Sequence, residues 1–487
     1  LFNFYIFQQI KSSMSENKKR KNYSTAFLAI IFTFFFWGFV AASNGVLIPM
    51  FKKNFTLTQF QSQLVDSAFY LAYFVGSLVY FFISRAFGDP LNKIGYKKGL
   101  IIGLVISAMG ALVFVPAANS VSYILFLSGL FIIGLGFALL QIVANPFVIN
   151  LGNPAKGSHR LNFAGGINSL GTTIGPVILA FALYGKVSNS NAAGIGIGNL
   201  KMPYLILCGM LLLLALVVAA VKMPTIKSDS KFEKGNGVFQ YPQLKWGMLA
   251  IFVYVGTEVT IQSNLGALLN LPEIKNIDHT QVDKYISLYW GSLMIGRISG
   301  SLHSFKLSRI GYLALSLLLP FAVFGIILYF NWLRGADLSD LYIYMVWIVM
   351  FIIIKFWGQE KPSRTLLMFG IAAMAFMLLG LCTEGDVALY SFISGGLFCS
   401  VMWPCIFNLS IAGLGKYTNQ GSSLLIMMIL GGAIIPPIQG NLADNADVGI
   451  HLSYIVPLIG FAYLAWYGYA VRGMLLKQEI DYDANIE

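Results

Sequence analysis

Charge is what this sequence has least of. Asp, Glu, Lys and Arg make up 11% of its 487 residues, against 57% hydrophobic residues. A soluble domain usually carries about 25% charge, and one this apolar lacks the polar surface to cover itself. Mean hydropathy is +0.73. Cysteine is also scarce. Cys208, Cys382, Cys399 and Cys405 lie in or beside apolar runs, with no Cys-x-x-Cys or Cys/His spacing. That pattern argues against a disulfide framework or a thiolate metal site; the four read as small core residues. His159, His279, His303 and His451 are scattered at the ends of apolar runs. No enzyme signature appears, and no G-x-x-x-x-G-K-[ST] phosphate loop supports ATP-driven chemistry. No cofactor and no resident metal are expected.

The net charge of +12 does not point to a nucleic acid. The basic residues form no folded face with interleaved aromatics. They sit in short clusters between apolar runs, where a membrane protein keeps its cytoplasmic Lys and Arg. A bilayer core takes roughly 20 apolar residues as a helix, and about fourteen such segments can be read. Six come first, near 24–50, 64–87, 98–117, 122–150, 162–186 and 201–222. Eight follow, near 245–270, 281–304, 309–332, 341–357, 364–383, 388–414, 420–443 and 450–472. The polar stretch 223–244 between the two sets reads as a linker.

Lys18–Lys21, Lys93, Lys97, Lys98, Lys156, Arg160, the linker lysines, Lys306, Arg309, Lys361, Arg364, Lys416 and Arg472 fall on one side. The other side has fewer, mainly Lys52, Lys53, Lys186, Lys201, Lys275 and Arg334. The bias places both termini, 1–23 and 473–487, in the cytoplasm. Met14 is the first methionine; it is the expected start residue, with Leu1–Ser13 as upstream sequence. The 49 glycines fall mostly inside spans, where small residues let helices approach closely. Gly431-Gly432 and Pro436-Pro437 mark bent or broken helices, which transporters tolerate where backbone lines a cavity.

Six spans, a linker and a second set outline two helical bundles in parallel repeat, with a substrate site near the midplane between them. Particular residues then narrow the family. The fourth span carries Leu140-Gln141-Ile142-Val143-Ala144-Asn145-Pro146-Phe147-Val148, and the fifth Asn168-Ser169-Leu170-Gly171-Thr172-Thr173-Ile174-Gly175-Pro176. The first carries Phe36-Trp37-Gly38-Phe39 and Asn44-Gly45-Val46-Leu47-Ile48-Pro49, and the seventh Tyr254-Val255-Gly256-Thr257-Glu258. Met402-Trp403-Pro404 and Gly421-Ser422-Ser423 come late in the chain. Together, over 24–472, these resemble the fucose/glucose/galactose symporter family of the major facilitator superfamily. The resemblance implies an all-α membrane fold of two six-helix bundles, 24–222 and 245–472, and sugar uptake driven by a cation gradient.

Three departures stand out. Gly45 and Gln141 occupy the positions where the fucose–proton branch has carboxylates tied to sugar binding and proton coupling. Neither can carry a proton, so fucose is disfavoured and glucose, galactose or a related hexose is preferred. The insertion 309–357 adds two spans, read as a peripheral hairpin that serves packing or assembly. In the loop Gly88–Lys98, Asn92 stands where the superfamily motif has Asp, so a gating contact there would be a neutral hydrogen bond.

Intramembrane ionisable residues are functional candidates by default. Glu258, near the midplane, is the expected coupling carboxylate for Na+ or H+. Arg297 is its possible ion-pair partner, at an estimated depth offset of roughly 9 Å. Asp66 reads as a helix-end residue, and Lys355 as a lysine that snorkels to the interface. Asn44, Gln141, Asn145, Asn168, Gln262 and Trp403 are the expected sugar contacts. Asn264, Asn408 and Trp37 are further polar or aromatic candidates, and each amide alone also fits interhelical glue. Asn145 has the added alternative of satisfying the carbonyl that Pro146 frees. The expected protein is a hexose–cation importer of a bacterial inner membrane, monomeric, with sugar and lipid as its partners. An uncoupled facilitator and a non-transporting sugar sensor are the competing readings.

Overall fold

The structure is a computed structural model that describes residues 2–57, 59–184, 196–224, 237–277, 282–305, 307–358 and 361–481. Side chains 2–24, 44, 45, 49, 59, 60, 62, 63, 66, 180 and 184 fall outside the description. So do most of the linker and the side chains of Asn44 and Asp66.

Every long apolar run is a helix. The first half comprises α1 (Phe2–Asn54), α2 (Gln59–Phe87), α3 (Tyr96–Leu112, continued by Phe114–Asn119), α4 (Tyr123–Asn150), α5 (Gly157–Tyr184) and α6 (Lys201–Ala220). The second half begins with α7 (Pro242–Ser263, continued by Leu265–Leu269) and α8 (Asp283–Gly300). The inserted hairpin is α9 (Arg309–Leu333) and α10 (Met345–Gly358). Then come α11 (Pro362–Cys382), α12 (Gly385–Ile393, Gly395–Cys399 and Met402–Ile411), α13 (Thr418–Met427 and Gly431–Ala443) and α14 (Ile455–Leu476).

Thirteen of these are long and apolar enough to cross a membrane. The exception, α8, carries Asp283, Lys284 and Arg297 within 18 residues. At about 27 Å it nearly matches the hydrocarbon thickness, and connectivity makes it a fourteenth crossing. Helix α5 begins earlier than the sequence pattern indicates, because Arg160 is not a loop residue. Its guanidinium donates to Val148 O at 2.9 Å, to Ile149 O and to Asn153 O at 2.9 Å, so it caps the carbonyl end of α4.

Glycine sets the tightest packing within each half. A Cβ on Gly38 of α1 would lie 2.2 Å from Asn168 O of α5, and one on Gly431 of α13 1.9 Å from Phe252 O of α7. The pairs α1–α5 and α7–α13 are thus backbone-to-backbone contacts that only glycine permits. The hairpin packs α9 on α8 and α10 on α11. Its turn is pinned at the other end of the helices: Lys284 Nζ lies 3.3 Å from Asp340 Oδ2, and Tyr285 and Tyr390 donate to Asp340 at 3.0 and 2.6 Å. Ile310 and Trp357 are 81% and 63% exposed on its outer face, the arrangement lipid contact requires.

Candidate functional site

The two halves meet along a seam. Hydrogen bonds joining them cluster in the half of the membrane nearer the chain termini, and the uppermost centres on Arg297. From α8, Arg297 Nη1 donates to Ser169 Oγ of α5 at 2.8 Å, while Nη2 lies 3.3 Å from Glu258 Oε1 of α7. Nη2 also approaches the Tyr254 hydroxyl at 3.5 Å. Tyr289 donates to Glu258 O at 2.6 Å and fixes the backbone beneath the carboxylate. The Trp403 ring lies 6.0 Å from that of Tyr254.

Glu258 therefore faces Arg297 rather than standing alone. The depth offset estimated from sequence is closed by the reach of the arginine and by α8 ending at Gly300. Side-chain exposures of 14% for Arg297 and 10% for Glu258 make this a largely buried pair. Breaking a buried pair by removing one partner costs about 3–5 kcal/mol. The pair is thus a structural contact, and through Ser169 it also ties the two halves together.

The amides separate into distinct roles. Asn168 Nδ2 donates to Phe34 O at 2.9 Å and ties α5 to α1, so this nitrogen is interhelical glue. Gln141 is buried, and its Oε1 has no hydrogen-bond partner of good geometry among the described residues. The Tyr73 hydroxyl lies in reach of both Gln141 and Trp37, though with no hydrogen bond of good geometry among the described residues. These are groups with unused hydrogen-bonding capacity beside an indole face. Gln262 is half-buried one turn beyond Glu258. Asn264 donates to Gln439 at 2.7 Å within the second half. The Asn44 side chain lies outside the described residues.

Asn145 and Asn408 are fully buried, and neither oxygen nor nitrogen of either amide has a hydrogen-bond partner among the described residues. Asn145 does not satisfy the carbonyl freed by Pro146. That group, Ile142 O, accepts from Ser422 Oγ of α13 at 3.0 Å. A helix defect in one half is thus satisfied by a side chain from the other.

A second cluster closes the terminus-bearing end. Asn419, at the start of α13, donates from Nδ2 to Asp89 Oδ2 at 2.8 Å and accepts from the Tyr96 hydroxyl at 2.8 Å. Asp89 Oδ1 accepts from Tyr80 at 2.5 Å and from Leu91 N at 3.0 Å. Gln420 donates to Ser84 at 2.9 Å. The neutral contact expected at Asn92 exists but is long, 3.4 Å from Asn419. Asp89, three residues earlier, supplies the charge. Burial pushes its carboxyl above the usual range, against the hydrogen bonds it accepts. Sequence reasoning missed Asp89, Ser169, Tyr254, Tyr289 and Ser422 as individual participants. For Asp89, Ser169, Tyr254 and Ser422 the only signal was their place inside recognisable runs; Tyr289 had none.

Comparison with known proteins fits this geometry. The family model of the Major Facilitator Superfamily matches residues 26–437. The chain is 34% identical over 459 residues to a glucose/galactose transporter of Brucella abortus, covering 93% of this chain and 96% of that protein. It is 29% identical over 464 residues to the L-fucose-proton symporter of Escherichia coli K12, covering 91% and 92%. The crystal structure of the transporter FucP in the outward conformation superposes with a TM-score of 0.71 at 27% identity, covering 92% of this chain and 99% of that one. Two helical halves meeting at a polar seam, sealed at the end that carries the termini, place this chain in the Major Facilitator Superfamily.

Proposed function

We propose that the protein imports a hexose of the glucose/galactose class together with a cation, by alternating access between its two halves. Its setting is a bacterial inner membrane, with both termini cytoplasmic and a monomer as the working unit. The observation that carries the reading is Arg297, which holds Ser169 of one half and Glu258 of the other at once. The relatives named for glucose/galactose and fucose transport supply the substrate class.

In this reading the sugar enters from the end opposite the termini. It is held by amides and aromatic faces, with Gln141, Gln262, Trp37 and Trp403 as the described candidates and Asn44 as a further one. A proton or sodium ion on Glu258 weakens its hold on Arg297. That frees the guanidinium for the sugar or for Ser169 and lowers the cost of rearranging the seam. A ligand shifts a conformational equilibrium only by its differential affinity for the two states, and this exchange supplies such a difference.

A specific observation also favours uncoupled facilitation: Gly45 and Gln141 offer no carboxylate, and Glu258 already has a partner. Exchange of labelled glucose, galactose and fucose across proteoliposomes tests the substrate. Exchange of glucose or galactose in preference to fucose is expected. Absence of exchange for all three refutes sugar transport.

A further inference from the structure

Lys355 does not snorkel. It lies on α10, three residues before the helix ends, yet is only 6% exposed. Its ammonium is 3.3 Å from Ser316 Oγ and 5.6 Å from the centroid of the Tyr312 ring, both on α9. Neither carries negative charge, and among the described residues no carboxylate comes within 4.0 Å of Lys355. The other buried cations differ: Arg297 has Glu258, and Lys284 has Asp340. Burying an ion without a counter-charge is strongly unfavourable, so a buried Lys355 either gives up its proton or takes up a counter-ion.

Beside Lys355 lies a cavity of ≈ 30 Å³, lined in part by Ser158 and Asn162 of α5, Gly300, Thr365 of α11 and Cys405 of α12. On the same measure a single water needs roughly 10–15 Å³. The space therefore admits a small monatomic ion. The titratable neighbours bring no negative charge: His159 also lines the cavity and donates from Nδ1 to Gly300 O at 3.0 Å, and its ring lies 5.4 Å from that of His303. Asn162, Ser158 and Thr365 line the same cavity with groups that can act as neutral donors.

We infer that this chamber binds a small monovalent anion of chloride size, with the inserted hairpin supplying the charge. The walls come from α5 of the first half and from α10, α11 and α12 of the second. In this structure, closed at the terminus-bearing end, these walls lie together across the seam. By linkage, an ion held there stabilises that closed state. The hairpin then does more than pack: it carries the anchor of a regulatory site. This inference uses the seam but not the identity of the transported substrate.

The test uses the purified full chain in lipid nanodiscs. Its thermal midpoint is followed against sodium chloride and sodium bromide, with sodium gluconate holding ionic strength constant. The expected result is a midpoint that rises with the logarithm of chloride or bromide concentration above their Kd and does not respond to gluconate. Lys355→Met should abolish the response, and in gluconate it should be at least as stable as the unsubstituted protein. Thr365→Val, a milder change, should weaken chloride binding while leaving Lys355 in place. Equal midpoints in chloride and gluconate for the unsubstituted protein would overturn the inference. So would an unaltered chloride response in Lys355→Met.

Discussion

Asp89 and Asn419 offer the most direct handle on how the seam closes. Both are 3% exposed, and one 2.8 Å hydrogen bond from amide to carboxylate joins them. The donor assignment follows from the network, because Tyr96 must donate to the opposite amide atom. A hydrogen bond to a charged group contributes about 1.5–3 kcal/mol, which corresponds to roughly 10- to 150-fold in the ratio of closed to open states. Asp89→Ala and Asn419→Ala should each shift the equilibrium toward the state open at the terminus-bearing end by about that factor. Because the two residues are partners, the double variant should cost less than the sum of the singles. Asp89→Asn should rescue only in part: with its oxygen toward Asn419 Nδ2, its amide nitrogen is set against Leu91 N, and the reverse orientation sets it against Asn419 Nδ2. Spin labels at Lys93 and Lys477, exposed on opposite halves at that end, report the opening as a longer distance population. Strict additivity, or unchanged distances in all three variants, would refute the reasoning.

Other expectations follow from the same contacts. The raised carboxyl of Asp89 means that the closed state binds its proton more tightly than a state in which Asp89 is hydrated. The closed population should therefore fall as pH rises from about 3.9, the ordinary Asp value, through the raised value; the same spin labels should show this slope reduced in Asp89→Asn. Ser422→Ala leaves Ile142 O without its donor, a cost of about 1–3 kcal/mol confined to the closed state. Ser422→Thr should restore much of it in the same distance measurement. Gly38→Ala forces a methyl to 2.2 Å from Asn168 O and should lower stability by about 1–3 kcal/mol or more, read as a drop in thermal midpoint.

Helix positions were legible because the solvent is lipid: a run of about 20 apolar residues has few other uses. Even α8 was readable despite Asp283, Lys284 and Arg297, because its neighbours fix the direction of the chain. Helix starts were less legible. Arg160 resembles a loop cation, and only the folded chain places it on the carbonyls that end α4. The three-part course of α12 has no clear sequence mark, since its breaks fall at serines that also occur within intact spans.

Within the site, residue type was legible and direction was not. Asn145 and Asn168 look alike in an apolar run, yet one has two unpartnered amide atoms and the other bonds to a neighbouring backbone. Lys355 met every sequence criterion for snorkelling. It failed to do so because α9, whose packing the sequence does not reveal, covers it with Ser316 and Tyr312. Contacts across the seam, such as Ser422 to Ile142, join residues 280 positions apart and leave no local trace.

The central claim is that cation coupling runs through Glu258 and its hold on Arg297. Its most direct test is uptake of labelled glucose or galactose into proteoliposomes under an imposed sodium or proton gradient, for the unsubstituted protein and for Glu258→Gln. The account predicts accumulation above equilibrium with one of the two gradients. It further predicts that Glu258→Gln abolishes the accumulation while sugar exchange without a gradient persists. Uptake indifferent to both gradients, or full gradient-driven accumulation by Glu258→Gln, would contradict it.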